Sequence, residues 1–283
     1  MKFYLTGILA ALLVSAPLTG NCLDVLPKEP TQEQLVKWKQ VAASGDADAQ
    51  YRVAMRYYYG KGVGKDYGEA MKWFKLSAAN GNASAEFGIG CMYQEGQGVV
   101  QDYGEALKWF RLAAAKGDDN AKNEIGYIYQ HGWGVPTDYG EAMRWYRICV
   151  ANGNAAAEDN IGVLYERGHG VTRDYVEAMK WYRLSAAQGN EEAQLNIGNL
   201  YQHGWGVRQN YGEAMKWYRL SAASGNDEAA LNIGNLYQNG WGVTRDYDEA
   251  MKWYRRAAAK GNEEAKQNIR NMNQHGLVRT QKQ

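Results

Sequence analysis

Four histidines are the side chains of this sequence best suited to bind a metal or to transfer protons. His131, His203 and His275 recur at an interval of 72 residues, and His169 lies in a turn from which it could approach His131. If every 36 residues form one layer of helices, and layers pack about 8–10 Å apart, members of this set lie on the order of 20 Å apart. Zinc ligands lie about 2 Å from their ion. The spacing therefore predicts histidines at helix ends and no metal site.

Glutamates also recur at a fixed interval, and repeated carboxylates are candidates for general acids. They are Glu69, Glu105, Glu141, Glu177, Glu213 and Glu249. Each follows an Asp or Asn by three residues, which is the spacing of a capping box, in which two side chains satisfy free N–H groups at a helix start. We therefore interpret the glutamates as capping residues.

Other patterns of catalysis are not recognisable in the sequence. The glycine-rich turns such as "GWGV" lack the Gly-Lys-Ser/Thr of a phosphate-binding loop, and a helix stop followed by a tight turn explains their glycines. No Ser-His-Asp or Cys-His arrangement stands out. The sequence predicts no catalytic residues, no cofactor and a protein that is not an enzyme.

Composition narrows the class of partner. The 283 residues carry a formal net charge of +1, and nucleic-acid binding needs a basic surplus. There are 21 tyrosines and 10 tryptophans against 4 phenylalanines, and Tyr and Trp suit half-buried positions. Cys91 and Cys149 do not share a position in the repeating pattern, so we interpret them as small buried residues.

The first 22 residues predict export. Lys2 precedes an apolar run over about residues 3–16 and then small residues, as in a secretory signal peptide. The run is short for a membrane helix, which needs about 20 apolar residues. We expect a periplasmic or secreted protein. Cys22 leaves lipidation as an alternative, although "LTGNC" has one residue too many for a good lipobox.

One repeat organises the rest of the chain. "DYGEAMKW" begins at Asp66, and variants of it begin every 36 residues. The repeats are predicted at 47–82, 83–118, 119–154, 155–190, 191–226 and 227–262. Capping helices are predicted at 31–46 and 263–276, with a polar tail at 277–283. Each repeat predicts two helices, the first beginning after an N-cap such as Asn82, Asn190 or Asn226. Stacked hairpins of this kind bury a continuous core as a solenoid.

Four sequence signatures resemble the Sel-one-like repeat family of the tetratricopeptide-like superfamily. They are Ala-x-x-x-Ile-Gly-x-x-Tyr, Gly-x-Gly-Val and Asp-Tyr-x-Glu-Ala, followed by Trp-Tyr-x-x-Ala-Ala-x-x-Gly, and they are nearly complete in repeats two to six. The resemblance implies an all-α, right-handed superhelical solenoid with a 36-residue period. It also implies a non-enzymatic adaptor or scaffold, and exported bacterial members act in the envelope or on a host.

The resemblance implies a partner groove on the first helices, because these line the concave face in tetratricopeptide relatives. An Asn after the repeat glycine binds peptide backbone or carboxylate in peptide-clamping relatives, but the usual clamp lysines are missing here. The predicted groove residues are Leu195, Asn199, Gln202, Leu231, Asn235, Gln238 and Asn271. A solvated polar face produced by repeat duplication is the alternative. We expect a monomer that binds protein or peptide.

Tryptophans in the turns form a second candidate surface. Trp133, Trp205 and Trp241 stand where other repeats have Lys61, Gln97 and His169, so the fold does not require an aromatic residue there. They could anchor a protein partner, stack on a sugar, or cover the neighbouring turn. A carbohydrate-binding envelope protein is therefore an alternative function, and a cell-wall hydrolase is a third for which the sequence supplies no catalytic group.

Overall fold

A computed structural model describes residues 32–277, and within that range the chain is all α-helical. The predicted signal peptide and residues 278–283 of the tail lie outside it. The helices are α1 (Gln32–Ala43), α2 (Ala47–Tyr59), α3 (Tyr67–Ala79), α4 (Ala83–Glu95), α5 (Tyr103–Ala115), α6 (Asp119–His131), α7 (Tyr139–Val150), α8 (Ala155–Arg167), α9 (Tyr175–Ala187), α10 (Glu191–His203), α11 (Tyr211–Ser224), α12 (Asp227–Asn239), α13 (Tyr247–Ala259) and α14 (Glu263–Gln274). Between residues 32 and 277, no helix is both long and apolar enough to cross a membrane.

Helix pairs of about 36 residues confirm the predicted solenoid. The even-numbered helices α2 to α12 are the first helices of the six repeats, and the odd-numbered helices α3 to α13 are the second helices. The helices form two compact units that divide between Lys116 and Gly117. The N-terminal unit contains α1–α5 and the C-terminal unit contains α6–α14. Within each unit, every helix packs mainly on its neighbours in sequence.

First helices begin and end as the sequence predicts. In repeat five, the Asn190 side chain accepts a hydrogen bond of 2.9 Å from the Ala193 N–H. The helix ends at Gly204, whose φ of +72° is in the left-handed region, and the Gly204 N–H donates to the Leu200 carbonyl. Glycine is favoured there because a Cβ is strained at positive φ. The next N–H, of Trp205, also donates to Leu200, at 3.0 Å.

Second helices begin with the predicted N-cap residue, but the prediction that the glutamate side chain completes a capping box is wrong. In repeat five, Asn210 Oδ1 accepts from the Glu213 N–H at 3.1 Å. The Asn210 N–H does not go to the glutamate, because it donates to the Tyr201 carbonyl at 2.9 Å and closes the loop between the two helices. Glu213 instead forms an ion pair of 2.6 Å with Lys216. The other five repeats have the same three contacts.

The core forms where a first-helix glycine meets a second-helix aromatic ring. A Cβ added to Gly198 would lie 2.4 Å from the ring of Tyr218, which is fully buried. The corresponding pairs are Gly90–Phe110, Gly126–Tyr146, Gly162–Tyr182 and Gly234–Tyr254. These contacts confirm that the repeated glycine permits a close approach of helices. A side chain larger than glycine would have to displace a packed ring.

Cys91 and Cys149 are both buried, as predicted, and no disulfide joins them. Cys149 takes the place of a repeated serine on the second helix. Ser185 and Ser221 donate from Oγ to the first carbonyl of the preceding helix, at 2.7 and 2.8 Å, and Cys149 Sγ makes the corresponding contact with the Asp119 carbonyl. Burial raises the pKa of the Cys149 thiol to about 12, so the thiol is protonated and unreactive at neutral pH.

Candidate functional site

The predicted asparagines and glutamines lie against buried tyrosine hydroxyls. The Tyr218 hydroxyl contacts Asn199 Oδ1 at 2.7 Å and Gln202 Oε1 at 3.1 Å. Repeat six is the same, with Tyr254 contacting Asn235 at 2.7 Å and Gln238 at 2.8 Å. A buried hydroxyl needs such a partner, so part of the amide pattern is explained by the fold. The contact also fixes each asparagine amide, leaving its NH₂ group to donate elsewhere.

Asn271 is placed differently from the other two asparagines of the predicted ladder. It is exposed on α14, and its Oδ1 accepts from Gln267 Nε2 at 2.9 Å. Asn199 and Asn235 are half-buried. The structure therefore gives Asn199 and Asn235 one environment and Asn271 another, and partner binding by the three stays a prediction.

Leu195 and Leu231 lie in the hydrophobic core. Their exposed fractions are 3% and 5%, and both pack in one cluster with Tyr218 and Leu236. The sequence predicts that these leucines present apolar surface to a partner, but packing in the core buries nearly all of that surface. The candidate site is therefore redrawn without them.

Carboxylates that the sequence analysis missed lie on the same helices. Asp159 of α8 is buried, accepting a hydrogen bond of 3.1 Å from Asn196 Nδ2. Burial, together with the charges of Glu192 and Glu166, raises the pKa of Asp159 to about 7. The pKa of Glu192 is also raised to about 7, by burial and then by Glu228 and other neighbouring acids. Both carboxylates are thus close to other acids, and no basic residue contributes to either shift.

Amide side chains link successive first helices along this surface. Asn160 donates to Asn123 at 3.1 Å, and Asn196 donates to Asp159 at the same distance. Asn232 approaches Asn199 at 3.4 Å. Asn199, Gln202, Asn235, Gln238, Glu166, Glu192 and Glu228 form the surface that we call the first-helix surface. It combines oriented amide donors with carboxylates.

Charge is divided between the two kinds of helix. In the C-terminal unit, α8, α10 and α12 each have two more acidic than basic residues. The second helices α7, α9, α11 and α13 each have one more basic than acidic residue. The near-zero net charge of the chain therefore conceals two surfaces of opposite sign. The sequence contains this difference in charge, but it becomes visible only when the charges are counted for each helix separately.

The turn tryptophans stack on aromatic rings of nearby turns. Trp205 stacks on Tyr175 at 5.4 Å between ring centroids and on His203 at 4.5 Å. Trp241 stacks on Tyr211 at 5.7 Å, and Asn239 stands where repeat five has His203. Their exposed fractions are 38% and 41%.

Trp133 is half-buried against Tyr127 and His131. Covering a neighbouring turn is therefore one role of Trp205 and Trp241, and sugar or protein binding by the three tryptophans stays a prediction.

The histidines lie at helix ends and in a turn. His131 and His203 end α6 and α10, His275 caps α14, and His169 stacks on Tyr139 at 4.4 Å. Burial lowers the pKa of His131, with smaller contributions from Arg167 and His169. Between residues 32 and 277, no three His, Cys, Asp or Glu side chains are grouped to hold a metal ion.

Comparison with protein families identifies the repeat. The Sel1 repeat matches residues 47–82, 83–118, 120–154, 155–190, 191–226 and 227–262, which is well over half of the chain. Sel1 repeat scaffolds are generally non-catalytic and typically mediate protein interactions. No curated protein matches the chain.

Solved structures agree with the repeat assignment. The structure of c5321, a protective antigen present in uropathogenic Escherichia coli strains, displays an SLR fold and is 37% identical with a TM-score of 0.70. The match covers 88% of this chain and 53% of c5321, so this chain spans about half the length of that relative. A Sel1 repeat protein from Oxalobacter formigenes is 36% identical with a TM-score of 0.75, covering 81% of this chain and 94% of that one.

A more distant structure is similar in fold alone. The immunity protein Pa5087 from Pseudomonas aeruginosa is 18% identical with a TM-score of 0.54, and the match covers 84% of this chain and 86% of that one. The six matched repeats and the two closer structures carry the assignment. The chain belongs to the Sel1 repeat family of the tetratricopeptide-like superfamily.

Proposed function

We propose that this protein is an exported bacterial scaffold that binds a basic protein or peptide segment on its first-helix surface. The observation that carries the proposal is the pairing of oriented amide donors with the clustered carboxylates of Glu192 and Glu228. The Tyr218 and Tyr254 hydroxyls hold Asn199 and Asn235 in one orientation on successive repeats. Preorganised donors of this kind lose little entropy when a partner binds.

The chemistry of the surface selects the partner. The NH₂ groups of Asn199 and Asn235 suit the backbone carbonyls of an extended segment, because carbonyl oxygens accept hydrogen bonds. Glu192 lies among acids that raise its pKa, so a lysine or arginine from the partner would relieve their repulsion. A segment that ends in a free carboxylate is disfavoured by the same acids.

Export rests on the sequence of residues 1–22. Their basic start, short apolar run and small residues are typical of a signal peptide, which supports our proposal that the mature protein acts in the periplasm or outside the cell. Lipidation at Cys22 is the alternative. We propose that the protein acts there as a monomer, without a cofactor, nucleic acid or a reaction of its own.

Immobilised basic and acidic peptide libraries test the partner class directly. The mature wild-type chain is compared with the Asn199→Ala/Asn235→Ala variant and with Glu192→Gln. The Asn273→Ala variant, which alters an exposed asparagine on α14, is the matched control. We expect basic peptides to bind, with affinity at least tenfold lower in both variants of the first-helix surface and unchanged in the control. Preferential binding of acidic peptides, or equal affinity in all four proteins, contradicts the proposal.

A carbohydrate-binding function remains a second candidate because of Trp241. Its ring stacks on Tyr211, has no histidine neighbour such as His203, and is 41% exposed. An aromatic ring in that position suits a sugar. Glycan-array binding that disappears in Trp241→Ala would support this function, and an array without signal would exclude the glycans tested.

A further inference from the structure

The second helices carry a repeated apolar position on their solvent-exposed face. In the C-terminal unit Ile148, Leu184 and Leu220 are 48%, 52% and 51% exposed, and they are equivalent residues of α7, α9 and α11. Leu76 and Leu112 of the N-terminal unit are each 49% exposed. A single exposed leucine is ordinary on a protein surface, but the same exposure at five equivalent positions is a periodic feature that core packing does not explain.

Each of these aliphatic residues has an arginine or lysine immediately before it. Arg183 and Arg219 are exposed, and their guanidinium groups donate to the hydroxyls of Tyr201 and Tyr237, at 3.0 and 2.9 Å. Arg147 has the same place on α7. Because tyrosine hydroxyls are neutral, these bonds hold the guanidinium groups in place without neutralising their charge.

The other charges on this face cancel within each helix. Arg144, Lys180 and Lys216 each form a 2.6 Å ion pair with the glutamate three residues earlier. The unbalanced positive charge of each second helix is therefore its arginine beside the aliphatic residue. We call Ile148, Leu184, Leu220, Arg147, Arg183 and Arg219 the second-helix stripe.

The charges of the stripe favour an acidic protein partner over a lipid surface. An anionic membrane presents one sign of charge and would face a glutamate on every helix, whereas a folded partner can place its acids opposite the arginines alone. Arginines fixed by hydrogen bonds also match a partner whose carboxylates have fixed positions.

The regular recurrence of the stripe suits an α-helix as the partner. The stripe offers one aliphatic residue on each of three successive second helices, and residues seven apart lie on nearly the same face of an α-helix. A partner helix lying across α7, α9 and α11 would thus present one apolar side chain to each. We propose that the second-helix stripe docks an amphipathic helix with apolar residues at intervals of seven and acidic residues beside them. This surface is separate from the first-helix surface, so one chain would hold two partners.

A labelled designed peptide tests the proposal. The probe is a 28-residue helix with leucine at every seventh position and flanking glutamates, and a second peptide has lysines in place of the glutamates. Fluorescence anisotropy is measured with the mature wild-type chain, Leu184→Ser/Leu220→Ser and Arg183→Glu/Arg219→Glu. Val176→Ser is the apolar control, because Val176 is 53% exposed on α9 but lies outside the stripe. Arg208→Glu, in an exposed turn, is the charge control.

We expect the acidic peptide to bind the wild type, and both stripe variants to bind it at least tenfold more weakly at unchanged thermal stability. The two controls should match the wild type, and the basic peptide should not bind. Failure of the acidic peptide to bind, equal binding of both peptides, or equal losses in the controls overturns the proposal. Binding of phosphatidylglycerol-containing vesicles that is lost in the stripe variants would assign the stripe to lipid and overturn it as well.

Discussion

First and second helices of the C-terminal unit differ in how much their sequences vary between repeats and in the sign of their net charge. The second helices repeat one sequence almost without change and are basic. The first helices share an alanine, an isoleucine and a glycine from repeat to repeat, but the residues around these positions vary. The first helices are also acidic. The comparison shows that a chain of near-zero net charge can carry two surfaces of opposite charge, because the first and second helices differ in the sign of their net charge. Four predictions test how far the contrast extends.

The glycine of the first helix should give the largest effect. Gly198→Ala places a Cβ 2.4 Å from the buried Tyr218 ring, and overpacking of this kind costs about 3 kcal/mol of unfolding free energy. Gly212→Ala makes the same chemical change on a second helix, where the nearest atom is 3.3 Å away. It should remain within about 0.5 kcal/mol of the wild type. Urea denaturation measures both, and equal losses would contradict the close-packing role of Gly198.

The buried acid of the first helices should give the next largest effect, and it should depend on pH. Because the folded-state pKa of Asp159 is about 7 and that of an unfolded Asp is about 3.9, the native state binds more protons between these values. The contribution of Asp159 to stability therefore falls as pH rises from about 4 to 7. Asp159→Asn should raise the free energy of unfolding by about 1–2 kcal/mol at pH 8 and lose this advantage near pH 4.

Thermal melts of the wild type and Asp159→Asn across this pH range measure the difference. The pKa of His131 and of His203 is lowered by burial, so these histidines act in the opposite sense, but they are common to both proteins and cancel. A stability difference that does not change with pH would show that the Asp159 carboxylate is not the titrating group.

The turns that join the two helix types should give a smaller effect. Trp205 stacks on Tyr175 at the start of a second helix and on His203 at the end of a first helix, whereas Trp241 has Tyr211. An aromatic pair contributes about 0.5–1.5 kcal/mol. Trp205→Ala should therefore lower the melting temperature more than Trp241→Ala does. The reverse order would mean that the stacking geometry does not determine the stability of the turns.

The smallest effect should come from the ion pairs of the second helices. Glu213 and Lys216 pair at 2.6 Å on an exposed face, and such pairs contribute about 0.5 kcal/mol or less. Glu213→Gln should leave stability nearly unchanged because the Glu213 N–H, which is backbone, still donates to Asn210. A loss above about 1 kcal/mol in urea denaturation would restore a capping role for the glutamate side chain.

The fold could be predicted because its determinants are local in sequence. Asn190 and Gly204 mark the ends of α10 through backbone preferences that neighbouring residues reveal, and the recurrence of Gly198 indicated a close helix approach. The Glu213 side chain was misassigned because two contacts compete for the Asn210 N–H, and only the folded loop shows that the Tyr201 carbonyl accepts it.

The candidate site could be predicted only in part. The position after the glycine identified Asn199 and Asn235, yet the Tyr218 and Tyr254 hydroxyls that orient them come from the next helix. The sequence predicted Leu195 at the surface because helical periodicity shows which face of the helix a side chain lies on. It does not show how deeply the neighbouring helices bury that side chain. The pKa of Asp159 depends on acidic residues of two repeats. The sequence pattern of one helix therefore cannot predict it.

The hydrogen bond from the Asn210 N–H to the Tyr201 carbonyl fixes the length of the segment between them, and all six repeats have it. One place inside that segment is less constrained, since Lys61, Gln97, His169 and Trp205 occupy it in different repeats. Each turn thus has a constant length and one position at which the residue varies. Protein engineers can exchange the side chain at that place in each of the six repeats while the backbone hydrogen bond keeps the length of the turn.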